Sequence, residues 1–334
     1  MKMKSFAFAS TLLAASLMTS PGYSDFLFFK THPLPKDIPS PWFTGPLLAP
    51  SGHVIPPDHA NIEPYVYCTV NTGKYDTHWN SFSTPNFYSG LFQLPIQIGL
   101  CPRLDFQFTP QVFYNETQGE HTVGFGDIPV GFDIQLLSDT ATGWWPAIRL
   151  SLKANIPLGS YQKLDPNKLG TDAIGAGSWI PAVALVFSRL FHIKDLHYIN
   201  GRLAFNYSVP TPVHVRGFNT YGGGFGTAGT AYPGNNFSVD FGFEYSLTQR
   251  WVIASDFLYA HSNKDRFSGS PGTLSIGGSP ASVTNGSSEQ FSLAPALEYN
   301  WNANVGIIGG VWFTVAGRNV AQFASGIIAL NIYI

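Results

Sequence analysis

From about residue 62 to the end, hydrophobic and polar positions alternate with a period of two, the pattern of a half-buried β-strand. In 87–100 (FYSGLFQLPIQIGL) Tyr88, Phe92, Leu94, Ile96, Ile98 and Leu100 share one face, and Ser89, Gln93, Gln97 and Gly99 the other. In 104–115, Leu104, Phe106, Phe108, Val112 and Tyr114 oppose Asp105, Gln107, Thr109 and Gln111. The alternation continues through 126–137, 145–158 and 236–247. Further strands are predicted at 62–73, 179–191, 196–209, 251–262, 288–301, 303–316 and 320–334, which brings the total to about twelve. Most run 12 to 15 residues. Soluble sheets favour ~5–6 residues per strand, whereas a tilted strand needs ~9–11 to cross a bilayer.

The connections support a membrane barrel. After the first strand, long segments (74–86, 116–125, 159–178, 210–235, 263–287) alternate with short ones (101–103, 138–144, 192–195, 248–250 and residue 302), and only the last outer loop, 317–319, breaks the pattern by being short. Brief periplasmic turns and extended outer loops are the asymmetry of bacterial outer-membrane barrels. On that topology Tyr88, Tyr114, Trp179, Tyr207 and Tyr259 fall at the outer rim. Trp145, Tyr245, Trp251, Tyr299 and Trp301 fall at the inner rim. Amphipathic rings prefer these two interfaces.

Composition narrows the class further. Only 11% of the 334 residues are charged, 15% are aromatic, and the net charge is −2. Soluble domains carry ~25% charge, so a solvated helical bundle is a poor fit. Aromatic richness argues against disorder, and the charge balance excludes a basic nucleic-acid binder. No apolar run past the N-terminus reaches the ~20 residues of a membrane helix. The fold class predicted is all-β: a transmembrane antiparallel barrel of about twelve strands, preceded by a Pro-rich extended arm.

Three segments follow. Residues 1–24 read as a cleaved signal peptide: Lys2 and Lys4, an apolar core from Ser5 to Met18, then Gly22 and Ser24 before Asp25. The chain is thus expected in the bacterial outer membrane. Residues 25–60 form an arm rich in proline (Pro33, Pro35, Pro39, Pro41, Pro46, Pro50, Pro56, Pro57), which cannot donate to a ladder. It is read either as a periplasmic leader or as a plug in the lumen, the latter because Trp42, Phe43, Leu47 and Leu48 seek burial. Residues 61–334 form the barrel. Cys68 and Cys101 lie mid-strand and in a turn, a poor arrangement for a disulfide.

The polar face identifies the candidate pore lining. Its charges are Glu63, Asp105, Asp127, Asp133, Asp240, Glu244, Asp256 and Glu298, with Arg149, Lys153 and Arg202. Facing lipid, each would cost ~2–4 kcal/mol at the midplane. Asp133 is within reach of Arg149 or Lys153, and Arg202 of Asp240 or Glu244. The acid excess favours cations or neutral polar solutes if these groups line an open constriction. Val252, Ala254, Leu258 and Trp312 are inward but apolar, either a hydrophobic path or a surface packed by the arm. A lipase would need Ser and His together on the lipid wall. Ser255 has no such partner, because His197 and His261 lie at opposite ends. Asp165, Asn167 and Asp172 read as a solvated turn rather than a Ca²⁺ loop. No catalytic residue, metal or cofactor is expected.

A set of glycine-rich motifs resembles the outer-membrane barrel family assigned to a MetA pathway of phenol degradation. These are Gly124-Phe125-Gly126-Asp127, Ile156-Pro157-Leu158-Gly159-Ser160-Tyr161, Gly170-Thr171, Glu298-Tyr299-Asn300-Trp301, Gly309-Gly310-Val311 and Gly317-Arg318-Asn319. The resemblance spans roughly 61–334 and implies a transporter-like barrel passing small, aromatic or hydrophobic molecules. The expected function is passive passage of small solutes. The expected partners are outer-membrane lipid, those solutes and the barrel assembly machinery, with no nucleic acid. The alternative is a structural or surface-binding barrel with a plugged lumen and display loops at 210–235 and 263–287.

Overall fold

The computed structural model describes residues 41–139, 144–275 and 278–334. The signal peptide and the first part of the arm lie outside the described residues. Twelve strands form one closed antiparallel barrel. In chain order, β1 comprises Ala60–Ile62 and Tyr65–Tyr75, β2 Ser81–Gln93 and Ile96–Cys101, and β3 Leu104–Phe108 and Gln111–Thr117. β4 comprises Glu120–Phe125 and Ile128–Leu137. Then follow β5 Ala147–Ile156, β6 Ile180–Lys194 and β7 His197–Ser208. Short strands β8 Val213–Arg216 and β9 Ala228–Tyr232 precede β10 Asn236–Ser246 and β11 Trp251–Ser262. Last come β12 Arg266–Ser270, β13 Ser288–Asn300, β14 Val305–Arg318 and β15 Ala321–Tyr333. β15 pairs back onto β1, from Asn61 opposite Tyr333 to Lys74 opposite Ala321, and so removes both sheet edges. Closure satisfies every ladder amide without water, as a membrane wall requires.

The four two-part strands are each interrupted where proline or glycine enters the sequence: Pro64, Pro95, Pro110 and Gly126-Asp127. Pairing resumes in register across the first three breaks and shifts by one residue across the fourth. A missing proline N–H explains why the ladder lapses at the first three. Neighbouring backbone bridges each gap, as in Glu63 N–H to Pro95 O (2.9 Å) and Leu94 N–H to Pro110 O (3.0 Å).

The alternation sorts the side chains. Phe92, Phe132, Leu152, Phe241, Phe257 and Ile328 are exposed on the outer wall, while Asp105, Asp133, Glu244 and Glu298 are fully buried inside. Exposed aromatics gather at the strand ends, with Trp251 and Tyr299 rings 4.8 Å apart and Tyr299 edge-on to Trp301 at 5.6 Å. Cys68 and Cys101 are free and exposed.

Two connections expected to be loops are largely strand. β1 and β2 extend to Tyr75 and Ser81, and β3 and β4 leave only Gln118 and Gly119 between them. These polar hairpin tips still pair backbone to backbone, which period-two hydrophobicity does not reveal. Asp76 closes the first tip by accepting the amides of His78 and Asn80 (2.7 and 2.9 Å), and these bonds hold its carboxyl below the usual range. The two long display loops also differ from expectation. They contribute β8, β9 and β12, a three-stranded antiparallel sheet. Val213, Val215, Tyr221, Ala231 and Val283 make its core, with Tyr161 and Phe267 against it. Glycine and serine at the turns hid this sheet.

Candidate functional site

The arm folds into the lumen from the short-turn end. Trp42 N–H donates to Gln249 O in the β10–β11 turn (3.0 Å). The chain rises to mid-lumen at Leu47–Ala49, crosses to β6, and descends past His53 to begin β1. An extended, proline-broken segment cannot satisfy its own amides, and a buried amide needs an acceptor. The barrel supplies carboxylates. Thr44 N–H donates to Glu298 Oε2 (2.8 Å) and Gly45 N–H to Glu244 Oε1 (3.0 Å). Leu48 and Ala49 N–H donate to the two oxygens of Asp256 (3.2 and 3.0 Å), and Ile55 N–H to Asp105 Oδ2 (2.8 Å). Gly52 N–H reaches Ser188 Oγ (2.6 Å) and Val54 N–H reaches Gln135 Oε1 (2.9 Å). A hydrogen bond to a charged group contributes ~1.5–3 kcal/mol, about twice a neutral one.

Apolar contact and close approach complete the seat. Leu47 is buried against Ala254, Ala294, Ile308, Ile327 and Ala329, with Trp312 alongside. Ala254 and Trp312 therefore pack with the arm, while Leu258 lines the space beside it. Trp312 also donates from Nε1 to Ser292 Oγ (2.9 Å), and Val252 is fully buried. Two inward glycines let backbone meet wall. A Cβ on Gly99 would lie 1.8 Å from Pro56 O, and one on Gly242 2.6 Å from the Ala49 Cβ.

The lumen bases are drawn in as well. Arg149 Nη1 pairs with Asp133 Oδ2 (3.0 Å) and reaches His53 O (3.5 Å). Arg202 pairs with Glu244 Oε2 (3.1 Å) and donates to Ala49 O (3.2 Å). Most of the acids expected to set cation preference are thus engaged with arm amides or arginines. Asp127 lies apart. At the break in β4 it accepts the amides of Leu158 (3.0 Å), Gly159 (2.9 Å) and Ala176 (2.9 Å), so it holds the β5–β6 loop and not the pore. At the other end His53 Nε2 meets Asp139 (2.8 Å). Burial raises the Asp139 carboxyl, but the His53 hydrogen bond and charge outweigh it and hold the group below the usual range.

Beside the arm remains a cavity of about 860 Å³. Arg149, Lys153, Arg202, Asp240 and Leu258 line it, with Tyr65, Tyr67 and Gln93 on other walls. Sequence reasoning missed Gln135 and Ser188 as arm partners. Their inward register was the available signal. The Asp165 turn closes on itself, Asp165 Oδ1 accepting from Asn167 N–H (2.9 Å) and its own N–H donating to Asp172 (2.9 Å). Among the described residues no three or more His, Cys, Asp or Glu gather as metal ligands.

This geometry defines a class: a closed twelve-stranded barrel of outer-membrane type with its own chain inside it. An outer membrane channel from Pseudomonas putida F1 has a similar fold, with a TM-score of 0.65 at 12% identity over 85% of this chain and 98% of that one. The translocator domain of the Neisseria meningitidis autotransporter NalP aligns with a TM-score of 0.44 at 8% identity, over 82% and 88%. A mutant of the TodX monoaromatic hydrocarbon channel aligns at 0.41 and 12%, over 83% and 91%. No family model and no curated protein matches the sequence.

Proposed function

We propose that the chain is an outer-membrane channel for small solutes, aromatic or otherwise hydrophobic molecules among them, with residues 41–59 as its plug. The observation that carries this reading is how the arm is held. From Thr44 to Ile55 its amides to the wall go to side-chain acceptors, Leu48 and Ala49 sharing Asp256, and none of them joins the ladder. Such a segment can leave bond by bond while the barrel stays closed. The cavity beside it offers a path along the same wall. The fold shared with an outer membrane channel supports passage, and the motif resemblance to the phenol-degradation family supports the solute class. The step is diffusion and needs no covalent chemistry.

A second reading is a surface-binding barrel whose plug never leaves. The cored sheet of β8, β9 and β12 favours it, because a fixed surface suits binding better than loose loops do. Planar-bilayer recording on the refolded mature chain, with and without residues 25–59, separates the two. Steady current from the full chain supports a pore, and current only after deletion supports a gated one. Silence from both, with folding verified by heat-modifiable gel mobility, would refute the channel.

A further inference from the structure

The cavity wall formed by β1 to β5 carries a row of neutral amides. Asn61 of β1 stands opposite Gln97 of β2, and Gln97 opposite Gln107 of β3, so three amides lie side by side across three strands. Gly131 of β4 and Lys153 of β5 continue the row. A Cβ on Gly131 would lie 2.8 Å from Lys153 Cγ, so the lysine stem leans across the glycine toward β3. Gln97, Gln107 and Lys153 all line the cavity. Gln107 donates to Asp133 Oδ2 (2.7 Å) and keeps its own carbonyl oxygen free. Gln97 and Lys153 make no hydrogen bond or ion pair to a described residue. These free atoms keep accessible surface, unlike the enclosed guanidinium nitrogens of Arg149.

The free groups are mixed in kind. The Gln97 amide nitrogen and the Lys153 ammonium donate, while the carbonyl oxygens of Gln97 and Gln107 accept. Glu63 adds a further acceptor, since Asn61 and Asn331 both donate to its Oε1 (2.8 and 2.7 Å) and leave Oε2 free. An ion of either sign meets opposition here, an anion from Glu63 and the glutamine oxygens, a cation from Lys153. A hydroxyl donates and accepts at once, so a molecule with several hydroxyls satisfies both sets. Tyr65 and Tyr67 line the same space and offer half-buried ring surface to C–H groups. The volume of about 860 Å³ lies within the ~300–1,000 Å³ of small-molecule sites. We infer that the lumen cavity binds neutral polyhydroxylated molecules, small saccharides, along Gln97, Gln107 and Lys153. This adds a solute class to the channel reading and rests on that reading for its role in transport.

Saturation-transfer NMR titration of the refolded mature chain tests the site without requiring current. The detergent is a polyoxyethylene ether, which carries no sugar. The probes share ring size: glucose, cyclohexanol with a single hydroxyl, glucuronate with a negative charge and glucosamine with a positive one. Glucose is expected to bind about tenfold tighter than cyclohexanol, the effect of one or two net hydrogen bonds. It is also expected to bind no weaker than either charged sugar. Gln97→Leu breaks no internal hydrogen bond and is expected to lower glucose affinity about tenfold while leaving cyclohexanol unchanged. Lys153→Gln keeps a donor and removes the charge, so glucose affinity is expected to hold within about threefold. Preference for glucuronate or glucosamine over glucose, equal affinities for glucose and cyclohexanol, or indifference to Gln97→Leu would overturn the inference. Selective glucose binding by a chain that never conducts would refute the channel and leave the site standing. Conduction with no glucose binding would do the reverse.

Discussion

Gly99→Ala is the sharpest test of the plug. The new methyl would sit 1.8 Å from Pro56 O, 2.4 Å from Pro56 C and 2.6 Å from Ile55 O, all of them arm backbone. No side-chain rotation relieves such a contact. Restoring a C···O separation of about 3.3 Å needs a shift of roughly 1.5 Å in the arm. That shift breaks the bonds from Ile55 to Asp105 (2.8 Å) and Val54 to Gln135 (2.9 Å). One charged and one neutral hydrogen bond together amount to about 2–4 kcal/mol, a change of roughly 30- to 700-fold in the docked-to-released ratio. The barrel itself loses nothing, because Gly99 sits in a strand where alanine is at least as stable. Single-channel recording reads the open fraction, and hydrogen exchange reads protection of amides 52–55. Gly326→Ala is the control, since its Cβ meets nothing within 4 Å. Unchanged gating and exchange in Gly99→Ala, or an equal effect in Gly326→Ala, would refute the seating argument.

Asp256→Asn should release the crown of the arm, lowering exchange protection at Leu48 and Ala49 about tenfold or more without altering barrel mobility on gels. Asp127→Asn should loosen only the β5–β6 loop, raising tryptic cleavage at Lys163 and Lys168 while arm protection stays constant. The Asp139 carboxyl titrates below its unfolded value, so its hold on His53 is complete above about pH 4 and is lost as pH falls through the lowered value. Exchange at Val54 measured between pH 5 and pH 3 should show that loss, and a loss beginning at higher pH would contradict it. Reversal potentials should move toward cation preference once residues 25–59 are deleted and Glu298, Glu244, Asp256 and Asp105 lose their amide partners, and no shift would contradict the seating.

Much of the fold is legible because a membrane barrel writes itself twice. Lipid demands apolar residues at every second position, and the lumen accepts polar ones, so Phe241 and Asp240 declare opposite faces from adjacent positions. The same logic fails where lipid stops. Beyond the membrane both faces of β1 to β4 meet water, the alternation fades, and pairing continues unseen to Tyr75 and Thr117. The sheet of β8, β9 and β12 is hidden for a related reason. Its core of Val213, Val215 and Ala231 is too small to impose a period on strands of four or five residues.

The site is legible by residue and not by role. Every lumen charge can be placed inward from its register, yet an inward acid has two possible employers, a passing solute or the chain itself. Composition cannot choose between them. The choice is made by the arm, whose prolines leave amides at Thr44, Gly45, Leu48, Ala49 and Ile55 with no ladder to join. Five donors need acceptors inside a wall, and Glu298, Glu244, Asp256 and Asp105 supply them. An acid excess counted along the strands therefore measures the demand of the plug. What the arm leaves facing the remaining cavity is a mixed set, Arg149, Lys153 and Arg202 with Glu63 and Asp240, so a count of acids along the strands does not by itself give the chemistry of that space.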